Sequence, residues 1–550
     1  MQPTLDEKVP ADTLWTDWSP RPELPLTEDT FHFEIEDSDL ERICLDHAFM
    51  VSRQGRGVAA SFDLDQERRI LTARIRHQAG TASSAALVLQ VTLEDIGTLK
   101  LRTTQLLPRI EPYALMIELA RERLRHYLQK CEDWQMFAPQ LAPNATRRFE
   151  EARELLAQAV LAEDRQERMK RARASIVKAV EAGELLATRR ADQVLHARYG
   201  RAIAADTTLG HRIDPRTSIP KTLPTSLKEF GLTMIETPVG LIQPKPGTFD
   251  FAAVDRWVEW ALQQRLPIIL GPMVDLRPEV MPDWVVQGGT DYTTLCKLLW
   301  EHTEKLVERY ARHVAIWCVT SGIHVNRLAT LNNDQMIDLT RRLSVLVRQV
   351  DRRAKVLVEL VQPFDDDVAA CPGSVPAVEY ATRTLDEGVH VDCFGLRVRS
   401  GFPTNGSEAR DLLSLSDALD RFARLERPLL LTGLSAPRVP TAADAGCWHG
   451  PWSEERQAQW ATSLLGITLG KLTIRGAGAT RSKPIGAFEG VLWSNLLDSE
   501  TDSIGLVDES GAPRRLLTQL ATIRQALRKP LRSESHSAPS LEDAYKAGPS

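Results

Sequence analysis

Residues 243–273 read QPKPGTFDFAAVDRWVEWALQQRLPIILGPM. Within them, AAVDRWVEWALQQR reads as an amphipathic helix. PIILGPM follows at once, a short apolar run closed by glycine and proline, as expected of a buried strand. LTMIET, residues 232–237, precedes the stretch and reads the same way. Strand, helix, strand in that order is the repeating unit of a parallel α/β sheet.

The unit recurs on both sides. Candidate strands are YGRAIAA (199–205), LTMIET, PIILGPM, VAIWCVT (314–320), KVLVELV (355–361), DCFGLRV (392–398), PLLLTG (428–433) and GVLWSN (490–495). Amphipathic helices such as LCKLLWEHTEKLVERYARH and NDQMIDLTRRLSVLVRQV separate them. Eight strands with intervening helices over residues 199–530 match a (β/α)8 barrel, whose usual size of about 250 residues grows with insertions. A doubly wound sheet would call for a glycine-rich GxGxxG turn after an early strand, and the chain has none.

Upstream the pattern differs. Residues 1–25, rich in proline and acids, read as a flexible arm. Residues 26–110 read as a small sandwich-like β-domain, with FHFEI, AASFDLD, ILTARIR, AALVLQVTL and TLKLRTTQLL as strands. Residues 111–198 read as a helical segment. Met116, Leu119, Ala120, Leu124, Tyr127 and Leu128 share one face of its first helix, and Asn144 or Thr146 is the expected cap of its second. Met169, Ala172, Ile176, Val180, Gly183 and Ala187 share a face of the third. The run RQERMKRAR, interleaved with acids, reads as a solvated face. Residues 531–550 read as a disordered tail.

Composition narrows the function. The chain has 550 residues, 43% hydrophobic and 26% charged, with a net charge of −6 and both signs mixed throughout. That balance points to neither a nucleic acid nor a membrane partner. The seven cysteines are scattered without CxxC spacing, so no metal site, cofactor or disulfide framework is expected. The acidic start lacks the basic and apolar regions of a secretory signal, and a cytoplasmic location is the expectation.

Several blocks resemble glycoside hydrolase family 10, the xylanase-type barrel. That family's Glu-Pro-x-x-Gly-x-Phe-x-Phe motif, before a helix starting Asp-x-x-Val/Ile, is matched by Gln243-Pro244, Gly247, Phe249, Phe251 and Asp255. MPDWV (281–285), AIWCVTSG (315–322), VDCFGLRVR (391–399), LLLTGLS (429–435) and GVLWSNLLDSE (490–500) followed by IGLVDESGAPRR (504–515) resemble later blocks in the family's order. The resemblance implies a retaining-glycosidase scaffold, whose chemistry needs two carboxyl groups about 5–5.5 Å apart.

It also implies that both are missing. The acid/base position falls at Gly322, after Ser321 in place of asparagine, and the nucleophile position at Gly433. The family's second-strand lysine and asparagine fall at Pro238 and Ile235, and its tryptophan-histidine pair near Leu276-Arg277. Its sixth-strand glutamine and histidine become Arg397 and Arg399, and of its sugar-binding aromatics Trp493 remains.

Active sites of such barrels gather at the C-terminal ends of the strands. Candidate ligand-binding residues there are Glu236, Asp275, Arg277, His324, Asn326, Glu359, Arg397, Arg399 and Trp493, with Glu279 and Asp498 as further carboxylates. Glu359, an acid inside an apolar strand, needs a partner, and Arg397 on the next strand is the expected one. Three arginines at the mouth, Arg277, Arg397 and Arg399, are either paired with Asp275, Glu236 and Glu359 or point to an anionic ligand. The expectation is a pseudo-glycosidase that binds a carbohydrate or related small anionic ligand without cleaving it. The alternatives are an assembly protein that docks protein partners on the helical segment, and an active O-glycosyl hydrolase with relocated carboxylates.

Overall fold

The computed structural model describes residues 26–78, 84–199, 208–286, 291–328, 331–471, 488–499 and 503–528. The expected N-terminal arm and C-terminal tail lie outside them.

Two four-stranded sheets come first. One contains β1 (Leu26–Glu34), β4 (Ala60–Asp65), β5 (Ile70–Gln78) and β8 (Tyr113–Ala114), in the order β4-β5-β1-β8. The other contains β2 (Ile43–Ser52), β3 (Gly57–Val58), β6 (Ala85–Leu93) and β7 (Gly97–Arg102), in the order β3-β2-β6-β7. A one-turn helix, α1 (Asp37–Leu40), links β1 to β2. Alternate residues of each sheet, Phe31, Phe33, Leu71, Ala73 and Ile75 on one side and Leu87, Leu89, Val91, Leu99 and Leu101 on the other, join one apolar core. β2, which the sequence reading did not isolate, lies inside its sheet; its polar Asp46 and His47 interrupt the alternation.

Three helices follow, α2 (Leu115–Trp134), α3 (Pro143–Leu161) and α4 (Arg165–Tyr199). The expected apolar faces are buried, except that Leu128 is 44% exposed. Helix α3 starts at Pro143, so Asn144 lies inside its first turn and Ala142 occupies the cap position. Proline at the first helical position presets φ and lacks a donor that the turn would leave unpaired. The arginine-rich run is a clamp, not a solvated face. Arg165 pairs with Glu34 at 3.1 Å and with Glu36, and Arg173 pairs with Asp39, tying α4 to the first sheet.

The remaining strands close a parallel barrel. In chain order they are β9 (Thr208–Ile213), β10 (Leu232–Ile235), β11 (Ile268–Leu270) with β12 (Val274–Asp275), β13 (Ile316–Ser321), β14 (Val356–Val361), β15 (Cys393–Arg399), β16 (Leu429–Ser435) and β17 (Phe488–Trp493). β11 and β12 are two pieces of one strand position, and β17 pairs with β9 to complete eight positions. The main outer helices are α6 (Ala252–Gln263), α8 (Tyr292–Tyr310), α9 (Asn333–Val350), α11 (Ala377–Asp386), α12 (Leu412–Ala423), α13 (Glu454–Gly470) and α14 (Arg515–Arg528). Short helices α5 (Val239–Ile242), α7 (Asp283–Val286) and α10 (Asp366–Ala370) lie in the connections. Strands two to eight match the sequence expectation, but the first does not. Residues 200–207 lie outside the described set, and the first barrel strand is TLGHRI, whose alternation spans two polar residues.

The N-terminal region and the barrel interlock. β7, an edge strand, is covered by barrel loops: Lys100 N–H donates to Ala409 O (2.9 Å), Cys447 N–H to Thr98 O (2.9 Å) and His449 N–H to Ile96 O (2.6 Å). Lys100, without solvent exposure, pairs with Asp366 at 2.5 Å and Glu408 at 2.9 Å across this joint. His47 Nδ1 reaches the same Glu408 at 2.9 Å. On the helical side, buried Glu184 of α4 accepts from Leu412 N–H (3.0 Å) and Trp448 Nε1–H (2.7 Å) and meets His449 Nε2 at 2.6 Å. The loops involved leave the C-terminal ends of the barrel strands, so the second sheet flanks the barrel mouth. Among the described residues no helix is long and apolar enough to cross a membrane.

Both joint histidines are held above their ordinary pKa. Burial works against a charge on His449, but the Glu184 carboxylate outweighs it and the opposing Arg456. At His47 the hydrogen bond to Glu408 raises the value against burial and Lys100. A raised histidine stabilises the fold fully below its ordinary value of 6.5 and loses that contribution as the pH climbs through the raised value. Four other buried histidines, His126, His211, His302 and His324, are instead lowered to about 4 by burial and work in the opposite direction, so the His449 contribution is read as a difference between variants. His449→Gln should lower the melting temperature at about pH 6 and by progressively less towards about pH 9, which paired series of thermal melts would read.

Candidate functional site

The barrel interior is layered. Leu232, Met234, Ile269, Cys318, Leu357, Cys393, Leu430 and Leu492 fill its lower part as a dry cluster. Inward residues recur every second position along a strand. Two positions beyond Met234, Leu357 and Leu492 stand Glu236, Glu359 and Ser494, and two beyond Gly395 stands Arg397. Arg212, two beyond Gly210 on β9, completes a polar layer at the mouth.

Arg212 organises that layer. Its side chain has no solvent exposure, and its Nε and Nη2 donate to Glu236 Oε1 at 3.0 and 2.7 Å. Its Nη1 donates to Glu359 Oε1 and, at 3.2 Å, to Thr432 O. A register shift in β13 sets Ser321 beside Glu359, whose Oε2 accepts from the Ser321 hydroxyl at 2.6 Å. Burial alone would push the Glu359 carboxyl up, but Arg212, then Arg397 and Ser321, hold it at about 2. Glu236 is likewise held below the usual carboxylate value, burial being outweighed by Arg212, Arg397 and Arg277. The partner of Glu359 is therefore Arg212 and not, as expected, Arg397. Arg397 approaches only Glu236, with Nη2 at 3.6 Å from an oxygen that Arg212 already occupies.

The other candidates divide between the mouth and the framework. Arg277 binds Asp275 through Nε (2.8 Å) and Nη2 (2.7 Å), an ion pair at the rim. The Arg399 guanidinium lies 4.1 Å over the Phe402 ring. His324 is buried, with Nε2 3.1 Å from Val361 O, and burial lowers its pKa to about 4. Asn326 closes a loop by donating to Leu331 O (2.7 Å) and accepting from Leu331 N–H (3.1 Å). Trp493 is 2% exposed and faces the helices, because its neighbour Leu492 faces inward; its Nε1–H donates to Ile504 O at 2.5 Å. Stacking on a ligand at the mouth is closed to it. Glu279 is exposed on a rim loop, and Asp498 is consumed by Arg438 (3.0 Å), Arg514 (2.7 Å) and Gly505 N–H (2.9 Å). Sequence reading missed Arg212 because it placed the first strand too early; the polar alternation of TLGHRI was the available signal. No group of three potential metal ligands occurs among the described residues.

Both glycines that stand at the expected acid positions sit in filled space. Gly322 follows β13 at φ +60°, a left-handed conformation that disfavours other residues, and an added Cβ would lie 2.9 Å from Val361 Cγ2. At Gly433 a Cβ would lie 2.9 Å from Arg397 Cγ, 3.2 Å from Ser494 Oγ and 3.5 Å from Arg212 Cδ. The absence of a side chain there is what lets the two arginines pass.

Arg212→Met should cost about 3–5 kcal/mol in urea denaturation, since it strands two buried carboxylates. Adding Glu359→Gln should recover part of that loss, because it removes one of the stranded charges. Gly433→Ala should cost about 1–3 kcal/mol by the same measurement, through overpacking against Arg397.

No family model matches the chain. Among solved structures, it is similar to GH10 from Paenibacillus barcinonensis at 15% identity and a TM-score of 0.43, covering 61% of this chain and 99% of that one. It is similar to native xylanase 10B from Thermotoga maritima at 13% identity and a TM-score of 0.42, covering 60% and 98%. A GH10 endoxylanase from a sugarcane soil metagenome is similar at 15% identity and a TM-score of 0.44, covering 60% and 99%.

Proposed function

We propose that this chain is a pseudo-glycosidase, a xylanase-type barrel that holds a carbohydrate or related anionic ligand at its mouth without cleaving it. The observation that carries this reading is the engagement of Glu236 and Glu359 by one buried arginine. A glycosidic bond needs a carboxyl group that still bears its proton near neutral pH. Glu359, at about 2, has none to give, and Glu236 is depressed in the same direction. The relocated-carboxylate alternative loses its two best candidates. Geometry supports the ligand half of the reading: Arg397 approaches a carboxylate only at 3.6 Å, at an oxygen that Arg212 already holds.

A scaffold reading is favoured by one observation. His324, Asn326 and Trp493 are held by internal contacts, and the apolar core runs unbroken from the sheets through the helices to the barrel. In that reading protein partners dock on α2–α4.

The two separate in a thermal-shift screen with xylo-, cello- and manno-oligosaccharides, uronic-acid oligomers and sugar phosphates, coupled to chromatography of the sugars. A ligand at about 100 times its Kd adds about 2.7 kcal/mol and a visible rise in melting temperature. A shift with every oligosaccharide recovered intact is expected. Shortened products would make the chain a hydrolase, and a flat panel would leave the scaffold.

A further inference from the structure

Resting on the reading of the mouth as a ligand site, we propose that its ligand is a monocarboxylated sugar, with the carboxylate gripped by Arg397 and the hydroxyls by Ser494 and Ser435. Among the mouth arginines Arg397 is the under-used one. Arg212 makes four hydrogen bonds and Arg277 a close ion pair, while among the described residues the Arg397 side chain makes no hydrogen bond and approaches one shared oxygen at 3.6 Å. Its side chain is 15% exposed, as is that of Glu236, and Arg277 is 27% exposed, so the layer opens to solvent. Burial and the charges of Arg212 and Arg277 push the Arg397 pKa down to about 10, against the opposing pull of Glu236 and Glu359. Its guanidinium therefore sits in a positive field that an anion would relieve.

Two hydroxyls accompany it. Ser494 Oγ and Ser435 Oγ are buried and have no hydrogen-bond partner among the described residues. Ser494 shares the space above Gly433 with the Arg397 stem, and Ser435 pairs in register with Arg399. Buried polar groups are normally satisfied, and a hydroxyl can both donate to and accept from a sugar. The planar fork of a guanidinium matches a carboxylate.

Isothermal titration of the full chain with glucuronate and gluconate, against glucose, glucose 6-phosphate and acetate, tests this. The carboxylated sugars should bind about tenfold or more tighter than each of the others, the scale of one charge-assisted hydrogen bond. Arg397→Gln should abolish that preference. Arg397→Lys, which keeps the charge and loses the fork, should retain part of it, and Ser494→Ala should weaken binding a few-fold. Glucose binding as tightly as glucuronate would overturn the carboxylate assignment and leave the ligand-binding barrel intact. Tighter glucose 6-phosphate or acetate binding would do the same. Unchanged glucuronate affinity in folded Arg397→Gln would remove the residue assignment. No binding by any sugar would bring down both this inference and the reading on which it rests.

Discussion

A guanidinium without solvent exposure stands in the centre of the barrel mouth, and the arrangement of the mouth follows from it. Burying a charge is tolerable only when it is paired and fully hydrogen-bonded. Arg212 meets that condition by donating from Nε and Nη2 to Glu236 and from Nη1 to Glu359 and the Thr432 carbonyl. Ser321 then satisfies the second oxygen of Glu359. Gly433 provides the room, since a side chain there would meet the stems of both Arg212 and Arg397. Both carboxylates thereby serve as counter-ions to Arg212.

The surroundings of the mouth are built with the same economy of unpaired groups. β7 has its exposed edge covered by barrel loops, and a buried lysine joins it to two acids beyond the joint. Helix α4 is held at one end by arginines on the first sheet and further along by Glu184 on the Trp448-His449 turn. The N-terminal sheets and helices are therefore tied to the loops that rim the mouth.

Much of this was legible beforehand. Long amphipathic helices such as Asn333–Val350 declare themselves by period, and the apolar strands of the barrel by their short runs between turns. The elements that escaped are those where local pattern and environment disagree. β2 carries polar residues in mid-strand, TLGHRI hides a buried arginine in a polar run, and RQERMKRAR is charged yet turned towards an acidic partner surface. Among the site residues, Asp275 and Arg277 form an ion pair with each other. Trp493, His324 and Asn326 were placed at the correct strand ends, but with no sign of which way they faced.

The sequence by itself determined the alternation of strands and helices, the order of the barrel strands from the second onward, and the presence of glycine where the family resemblance expects acids. Tertiary structure decided which side chains meet. A strand directs neighbouring residues to opposite faces, so Leu492 inward places Trp493 outward, and a small shift in β13 brings Ser321 level with Glu359. The pairing of Arg212 with Glu236 and Glu359 joins residues 24 and 147 positions apart. Only closure of the barrel brings those three strands around one axis, and the cost of a buried charge then selects the partners.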